Sequence, residues 1–385
     1  QADVLNLNII TTGLNTVLSG DVTTATGSTV NIKLGDGGGG TNLITIATVS
    51  NQNLEIAANF NSAAAGDTSN LAFSNAGTGA NTVLISGTVG ATVAFDDVSV
   101  DAPANQPLAV TFGSSVATTT LSVVSNATGN ETAIATIAGN LTASGAVTIT
   151  GSVTAVAKLT LQGATSSATS FTLNDDAGLT TLTIDADNGN QTIAGTILGA
   201  SNTEGALVII DSDAVNVAAN TQTFSGAIGG TTIKTIQIGN ESTGAGAIFQ
   251  STVATSSTIT IDAGDGGNET ALVEFQGNVT NGGNLILDEN SGGAAIVTFH
   301  ATNGAIAVSG AVLAGNAGEG DIIVIDDDTA VPQAVTFAGA IGGAAVGTLT
   351  VGSATLGGSA IFSASGAAVI NAVTVIGGDA ADEDS

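Results

Sequence analysis

Phenylalanine recurs in this chain at a nearly constant interval. Two groups keep it, one made of Phe224, Phe249, Phe275 and Phe299 and the other of Phe337 and Phe362. The interval falls within the repeat of roughly 20 to 50 residues that is typical of solenoids, in which each coil stacks on the one before it. The spacing therefore predicts that one Phe per coil stacks on the Phe of the next coil.

Along much of the chain, apolar residues alternate with Thr. Residues 43–46 read Leu-Ile-Thr-Ile and residues 348–351 read Thr-Leu-Thr-Val, and small residues such as those at 144–146 (Ser-Gly-Ala) separate such runs. A period of two is that of a half-buried β-strand. Because only three prolines are present, few ladders would be interrupted. The pattern predicts an all-β chain.

A longer repeat leaves two architectures open. Residues 223–230 return almost unchanged as residues 336–343, and Phe112, Phe224 and Phe337 are almost evenly spaced. A parallel β-solenoid is favoured, since it needs small residues at its corners, aliphatic ladders inside and few aromatic residues. Tandem β-sandwich domains of about 113 residues are the alternative, because such a domain takes roughly 100 residues.

Three regions are predicted along the chain. Residues 1–40 form an N-terminal strand segment with a Gly-rich loop, which acts either as a cap or as an arm that exchanges between subunits. Residues 41–378 form the repetitive β region, and residues 379–385 are an acidic C-terminal tail. The opening residues, Gln1 to Asp3, resemble a mature N-terminus left after signal cleavage.

The charge balance excludes several partners. The chain has 32 Asp and Glu against three Lys, no Arg and a net charge of −29. Binding to nucleic acid or to anionic lipid needs Lys and Arg, and no apolar run approaches the ~18 residues of a membrane helix. We therefore expect no nucleic-acid partner and no direct membrane insertion. Since such a surface keeps subunits apart, close assembly would need salt or a divalent cation such as Ca²⁺.

The absent residue types favour an exported protein. Cys, Met, Trp and Tyr are all missing, so the chain has no disulfide framework and little that is easily oxidised. These residues are costly to synthesise, and their absence suits an abundant protein that the cell loses permanently. The composition indicates an extracellular or cell-surface location.

Residues 273–280 (Val-Glu-Phe-Gln-Gly-Asn-Val-Thr) show a strand, Gly-Asn, strand texture that continues over most of the chain. In this texture the chain resembles bacterial β-strand-repeat surface proteins, including autotransporter passengers and S-layer repeat regions. The resemblance implies an extracellular location, a scaffold or adhesive role and often Ca²⁺. Two features depart from it, the acidic tail in place of a membrane barrel and the lack of clean Gly-Gly-x-Gly-x-Asp arrays.

Pairs of aspartates follow several strand-like runs. Carboxylates two residues apart, beside backbone carbonyls, are the oxygen ligands that Ca²⁺ takes. Asp can equally cap strands and form turns with its own backbone, and the sequence leaves both interpretations open. The calcium candidates are Asp96, Asp97, Asp211, Asp213, Asp326 and Asp328.

Signals for catalysis are weak. The one histidine, His300, has no Cys to partner it and nothing resembles a nucleophile elbow. The carboxylate pairs leave a polysaccharide-active enzyme as a minor alternative, although the chain has no Tyr, Trp or Arg to hold sugars. We expect no enzyme and no certain cofactor. The prediction is a structural subunit of a self-assembling extracellular filament or surface layer whose partner is itself. An adhesin stalk that binds a cell-surface glycan is the alternative.

Overall fold

The computed structural model describes most of the chain in two compact units, residues 1–183 and 184–385. The described residues are 4–9, 15–18, 29–35, 41–48, 53–75, 77, 79–103, 106–125, 131–175, 180–187, 189–201, 203–212, 220–264, 269–289, 293–302, 304–327, 333–363 and 368–376.

All regular structure in these residues is β-strand, and they contain no helix. The first 17 strands are β1 Val4–Ile9, β2 Asn15–Leu18, β3 Thr29–Leu34, β4 Thr41–Thr48, β5 Asn53–Ile56, β6 Asn59–Ser62, β7 Thr68–Asn75, β8 Asn81–Ile85, β9 Phe95–Ala102, β10 Leu108–Phe112, β11 Val116–Ser125, β12 Thr132–Ile137, β13 Leu141–Ala143, β14 Ala146–Thr150, β15 Val156–Leu161, β16 Thr165–Asn174 and β17 Thr180–Asp185. The remaining strands are β18 Gln191–Gly199, β19 Glu204–Ile210, β20 Thr221–Phe224, β21 Ile228–Ile238, β22 Ala245–Phe249, β23 Val253–Thr255, β24 Ile259–Asp262, β25 Thr270–Phe275, β26 Val279–Asn281, β27 Asn284–Asp288, β28 Ala294–His300, β29 Ile306–Val308, β30 Ala311–Ala314, β31 Asp321–Ile325, β32 Ala334–Phe337, β33 Val346–Val351, β34 Ser359–Phe362 and β35 Ile370–Val375.

In the first unit the strands form three parallel ladders. One ladder joins β1, β3 and β6, and another joins β2, β4, β7, β9, β11, β14 and β16. The third joins β5, β8, β10, β12 and β15. Ile44 pairs with Leu71 and Leu71 pairs with Val98, so the chain completes one turn of the coil between each of these residues and the next.

The strands of the second unit also form parallel ladders. We call β18, β20, β22, β25, β28, β31, β33 and β35 its first sheet. A second sheet joins β21, β23, β26, β29, β32 and β34, and a third joins β19, β21, β24, β27 and β30. The chain is thus a parallel β-solenoid, as predicted. Tandem β-sandwiches are the wrong alternative, because all the ladders given above for the two units are parallel, whereas sandwich strands run antiparallel.

The core lies inside each coil and follows the predicted alternation. In β4, Ile44 and Ile46 are buried while Leu43 and Thr45 are half-buried on the outer face. Successive side chains of a strand point to opposite faces, so every second residue enters the interior. The outer positions carry the Thr residues because their β-branched side chains suit a half-exposed strand.

Phenylalanines stack along the interior of the second unit. Ring centroids are 5.0 Å apart for Phe224 and Phe249, 5.1 Å for Phe249 and Phe275, and 5.7 Å for Phe275 and Phe299, with interplanar angles of 13–20°. The predicted stacking of one Phe on the next is therefore confirmed. Phe337 meets Phe299 edge-on instead, at 87°.

Equivalent residues of the longer sequence repeat do not lie in the same sheet of the coil. Phe224 lies in the first sheet, on β20, whereas its repeat partner Phe337 lies in the second sheet, on β32, and pairs with Val308 and Phe362. Successive turns of the coil differ in length, so a shift by one long repeat does not return the chain to the same sheet.

Small residues form the corners because consecutive turns approach closely there. Gly139 and Gly163 occupy one corner in consecutive turns. A Cβ atom added to Gly163 would lie 2.2 Å from the carbonyl oxygen of Gly139, closer than atoms can approach. A larger residue would separate the turns, which explains the Gly, Ser and Ala between strand-like runs.

Candidate functional site

The last strands of the second unit expose side chains that the preceding turns bury. Phe362 on β34 stacks on Phe337 with ring centroids 5.5 Å apart and an interplanar angle of 12°. Phe337 is 1% exposed, yet Phe362 is 47% exposed. The phenylalanine row therefore reaches β34 and presents its last ring to solvent.

The same change occurs in the neighbouring strand, β35. Val375 pairs with Val351, and Val373 pairs with Leu349, in the adjacent turn. Val351 is 8% exposed and Val375 is 62% exposed, although both occupy the same interior row. We call the exposed residues of this last turn the C-terminal edge; they are Ile361, Phe362, Val369, Val373 and Val375.

The C-terminal edge also carries backbone groups that face outward along the coil. Among the described pairings, β34 pairs only with β32 and β35 only with β33. At the other end of the chain, β1 pairs only with β3 and β2 only with β4. A strand with one free edge is a template for a further strand.

The buried aspartates at the predicted calcium positions contact backbone amides. Asp211 is 1% exposed, and its Oδ2 accepts a hydrogen bond from the Asn220 backbone N–H at 2.7 Å. Asp326, also buried, accepts one from the Gln333 backbone N–H. Each carboxylate thus ties the end of one strand to the residue where the next strand begins. Their partners in the prediction, Asp213 and Asp328, lie outside the described residues.

Asp96 and Asp97 bind adjacent turns instead. The Asp96 Oδ2 accepts from the Ser69 backbone N–H at 2.7 Å, and the Asp97 Oδ1 accepts from the Thr120 hydroxyl at 2.7 Å. These contacts cross-link β9 to the turns before and after it. Asp96 and Asp97 are neighbours in the chain, while Asp211 and Asp326 lie in different turns of the second unit and do not share one site.

Three further buried aspartates hold corners, and the sequence pattern alone did not separate them from the calcium candidates. Asp175 accepts from the backbone N–H and hydroxyl of Thr180, Asp185 from those of Ser212, and Asp262 from the backbone N–H of Gly264. Where the chain is described, no three His, Asp or Glu side chains converge on a metal position. Turn formation accounts for these contacts, and calcium binding stays a prediction.

His300 bridges two carboxylates on neighbouring turns. Its Nδ1 lies 2.9 Å from Glu274 Oε1 on β25, and its Nε2 lies 3.7 Å from Asp327 Oδ2 after β31. The hydrogen bond to Glu274 raises the pKa of His300 above its usual 6.5, and the charges of Glu274, Asp327 and Asp326 raise it further, against the opposing effect of burial. The same bond lowers the pKa of Glu274 below its usual 4.5, and Gln276 adds a second donor.

Sequence reasoning missed the Glu274–His300 pair. The interval from Phe275 to Phe299 aligns Glu274 with Thr298 in the next turn, and His300 lies two residues beyond Thr298 on the same outer face of β28. The phenylalanine interval was therefore a signal that could have placed Glu274 beside His300.

The pair predicts a pH-dependent stability. Because the pKa of His300 is raised, its contribution to stability is complete below the unfolded-state pKa and is lost as the pH rises through the folded-state pKa. Because the pKa of Glu274 is lowered, its contribution is complete above about pH 4.5 and is lost as the pH falls through the folded-state pKa. Replacing His300 by Gln, which keeps a neutral donor, should therefore destabilise the protein most between about pH 4.5 and 6.5. We expect about 1 kcal/mol or less, since both groups are partly exposed. Urea unfolding of both proteins from pH 4 to 9 measures this, and a pH-independent difference would contradict it.

The fold and the exposed edge define a class, the repeat proteins of the β-solenoid type. No protein-family model, curated protein or solved structure matches this chain. The described residues include no helix long and apolar enough to cross a membrane.

Proposed function

We propose that the chain is a structural subunit of a self-assembling extracellular filament or surface layer, and that it is not an enzyme. Copies join end to end, with the C-terminal edge of one copy against the N-terminal strands of the next. The observation that carries the proposal is the C-terminal edge, where interior rows of the coil end in solvent.

Apolar burial favours this contact. Phe362, Val373 and Val375 continue rows that are buried one turn earlier, so a further turn stacked on them would bury them in the same way. Full burial of one such side chain contributes about 1.5–3 kcal/mol. The segment that follows β35 and its Ile376 in this sequence, 377–385, contains four acidic residues and no apolar residue larger than Ala.

Backbone pairing favours a second copy as the occupant. The free edges of β34 and β35 need a strand in parallel orientation at about 4.8 Å. The strands β1 and β2 are parallel strands of the same kind of coil, each with one free edge among the described pairings. Addition of a strand to an exposed sheet edge is a recurring mode of protein recognition.

Charge opposes assembly and supports a role for cations. A net charge of −29 makes copies repel one another, and the repulsion falls with ionic strength. Divalent cations bound by carboxylates, with Asp96, Asp97, Asp211, Asp213, Asp326 and Asp328 as candidates, would lower it further. The composition without Cys, Met, Trp or Tyr supports an extracellular location.

Electron microscopy of the purified protein, first with Ca²⁺ and then with excess chelator, tests the proposal. We expect ordered filaments or sheets with Ca²⁺ that loosen in chelator. Ordered assemblies that are unchanged by chelator would support a polymer whose assembly does not need calcium. Isolated particles under all conditions would contradict self-assembly and favour the adhesin stalk, whose test is binding to a cell-surface glycan.

A further inference from the structure

His300 carries a ring nitrogen that is left without a hydrogen bond. Its Nε2 is inaccessible to solvent and makes no hydrogen bond in the described part of the chain. A buried polar atom without a hydrogen bond is costly, and each one in a folded protein calls for an explanation. The nearest charged group to Nε2 on the following turn is the carboxylate of Asp327, whose Oδ2 lies 3.7 Å away.

Glu274 determines which nitrogen of the His300 ring is available. Its Oε1 lies 2.9 Å from His300 Nδ1 and also accepts a hydrogen bond from the Gln276 side-chain amide at 2.6 Å. Because an ionised carboxylate only accepts hydrogen bonds, Nδ1 carries the hydrogen. In the neutral ring, Nε2 therefore keeps a lone pair beside Asp327. A carboxylate that holds one ring nitrogen in this way is the usual support of a histidine that binds a metal through the other.

The distance between His300 Nε2 and Asp327 Oδ2 suits a shared metal ion better than a direct hydrogen bond. An N–H···O bond spans about 2.7–3.2 Å, so the two atoms are at least about 0.5 Å too far apart for one. Zinc binds imidazole nitrogen and carboxylate oxygen at about 2.0–2.2 Å, and two such ligands at a tetrahedral angle lie about 3.4 Å apart. Because the Asp327 side chain is exposed, it can make the small shift of about 0.3 Å that this geometry requires.

Ligand type and charge select a transition-metal cation. Imidazole nitrogen suits zinc, copper and nickel ions, whereas Ca²⁺ takes oxygen ligands. The negative charges of Glu274, Asp326 and Asp327 all act on His300, and they attract a divalent cation equally. The sequence has no Lys or Arg after Lys234, so no basic side chain from this stretch competes for the carboxylates. With two protein ligands, water fills the remaining coordination positions.

We infer that His300 Nε2 and Asp327 Oδ2 bind a divalent transition-metal ion such as Zn²⁺, with Glu274 orienting the imidazole ring. His300 ends β28, and Asp327 follows β31, which pairs with β28 in the first sheet of the second unit. The metal therefore ties two consecutive turns of the coil together. The site uses none of the six calcium candidates, and it goes beyond the proposed function because it forms within one copy of the chain.

Zinc titration followed by NMR tests the inference, because His300 is the only histidine of the chain and its ring C–H signals are unambiguous. In mildly alkaline buffer, since a metal binds the neutral imidazole, we expect Zn²⁺ to shift these signals saturably and Ca²⁺ to leave them in place. Asp327→Asn should raise the dissociation constant for Zn²⁺ at least about tenfold. Asp187→Asn is the matched control, because it also removes one exposed carboxylate from the second unit, and it should leave the constant unchanged.

Urea unfolding gives an independent readout of the same site. A ligand that binds only the folded state stabilises it, so Zn²⁺ should raise the unfolding midpoint of the unmodified protein more than that of His300→Gln. Ring signals that Zn²⁺ does not shift, or a dissociation constant that Asp327→Asn leaves unchanged, would overturn the site. An equal rise in midpoint for both proteins would also overturn it, because the stabilisation would then come from carboxylates elsewhere.

Discussion

Replacing Phe275 by alanine should lower the free energy of unfolding by about 3–5 kcal/mol, the usual cost of removing a buried Phe side chain. Phe275 is fully buried and its ring is stacked between those of Phe249 and Phe299. The deletion therefore opens a cavity and breaks two ring contacts, and neighbouring turns cannot close the space without losing their strand register.

Phe362→Ala provides the matched control. It removes the same side chain from the last position of a phenylalanine row, where the ring is already half exposed. We expect it to cost less than about half as much as Phe275→Ala in chemical denaturation of the unassembled protein. Equal losses for the two variants would show that stacking along the interior does not hold the coils together.

Replacing Val375 by lysine should abolish end-to-end assembly while leaving the fold intact. Val375 is exposed in the isolated chain, so the substitution removes few contacts from the subunit. In the assembled state the same position enters the interior row above Val351, where burial of an unpaired ammonium group costs several kcal/mol. Lysine at a sheet edge is a device by which proteins prevent such pairing. The critical concentration for filament formation should rise at least about a hundredfold.

Val153→Lys controls for the added positive charge. Val153 has the same exposure as Val375, 62%, and lies between β14 and β15 in the first unit, away from any strand. This variant should assemble as the unmodified chain does, as measured by light scattering against protein concentration. If both lysine variants assembled normally, the C-terminal edge would not be the contact between copies. If neither assembled, the loss of assembly would be due to the added positive charge and not to its position.

Most of the fold could be predicted from the local periodicity of the sequence. The nearly constant interval between phenylalanines predicted the turn length of the coil, and the alternation of Ile with Thr predicted the interior face of strands such as β4. The division into three sheets was not predictable from these signals, because corners of unequal length shift each strand. For this reason the motif around Phe224 and its repeat around Phe337 lie in different sheets.

The candidate sites depend on features that sequence pattern does not record. The aspartate pairs suggested either metal ligands or turn formers, and only the contacts of Asp211 and Asp326 reveal the backbone amides that they bind. The exposure of Val375 was equally hidden, since its strand alternates like any interior strand. What distinguishes it is the position of β35 in its ladder, which is a property of the stacked turns.

Cryo-electron microscopy of the assembled protein, at a resolution that separates strands about 4.8 Å apart, would reveal which surfaces join one copy to the next. We expect density of a second copy to continue the ladders beyond β34 and β35, with its N-terminal strands parallel to them and Phe362 and Val375 buried at the junction. Copies joined through other surfaces, with the C-terminal edge still open to solvent, would contradict it.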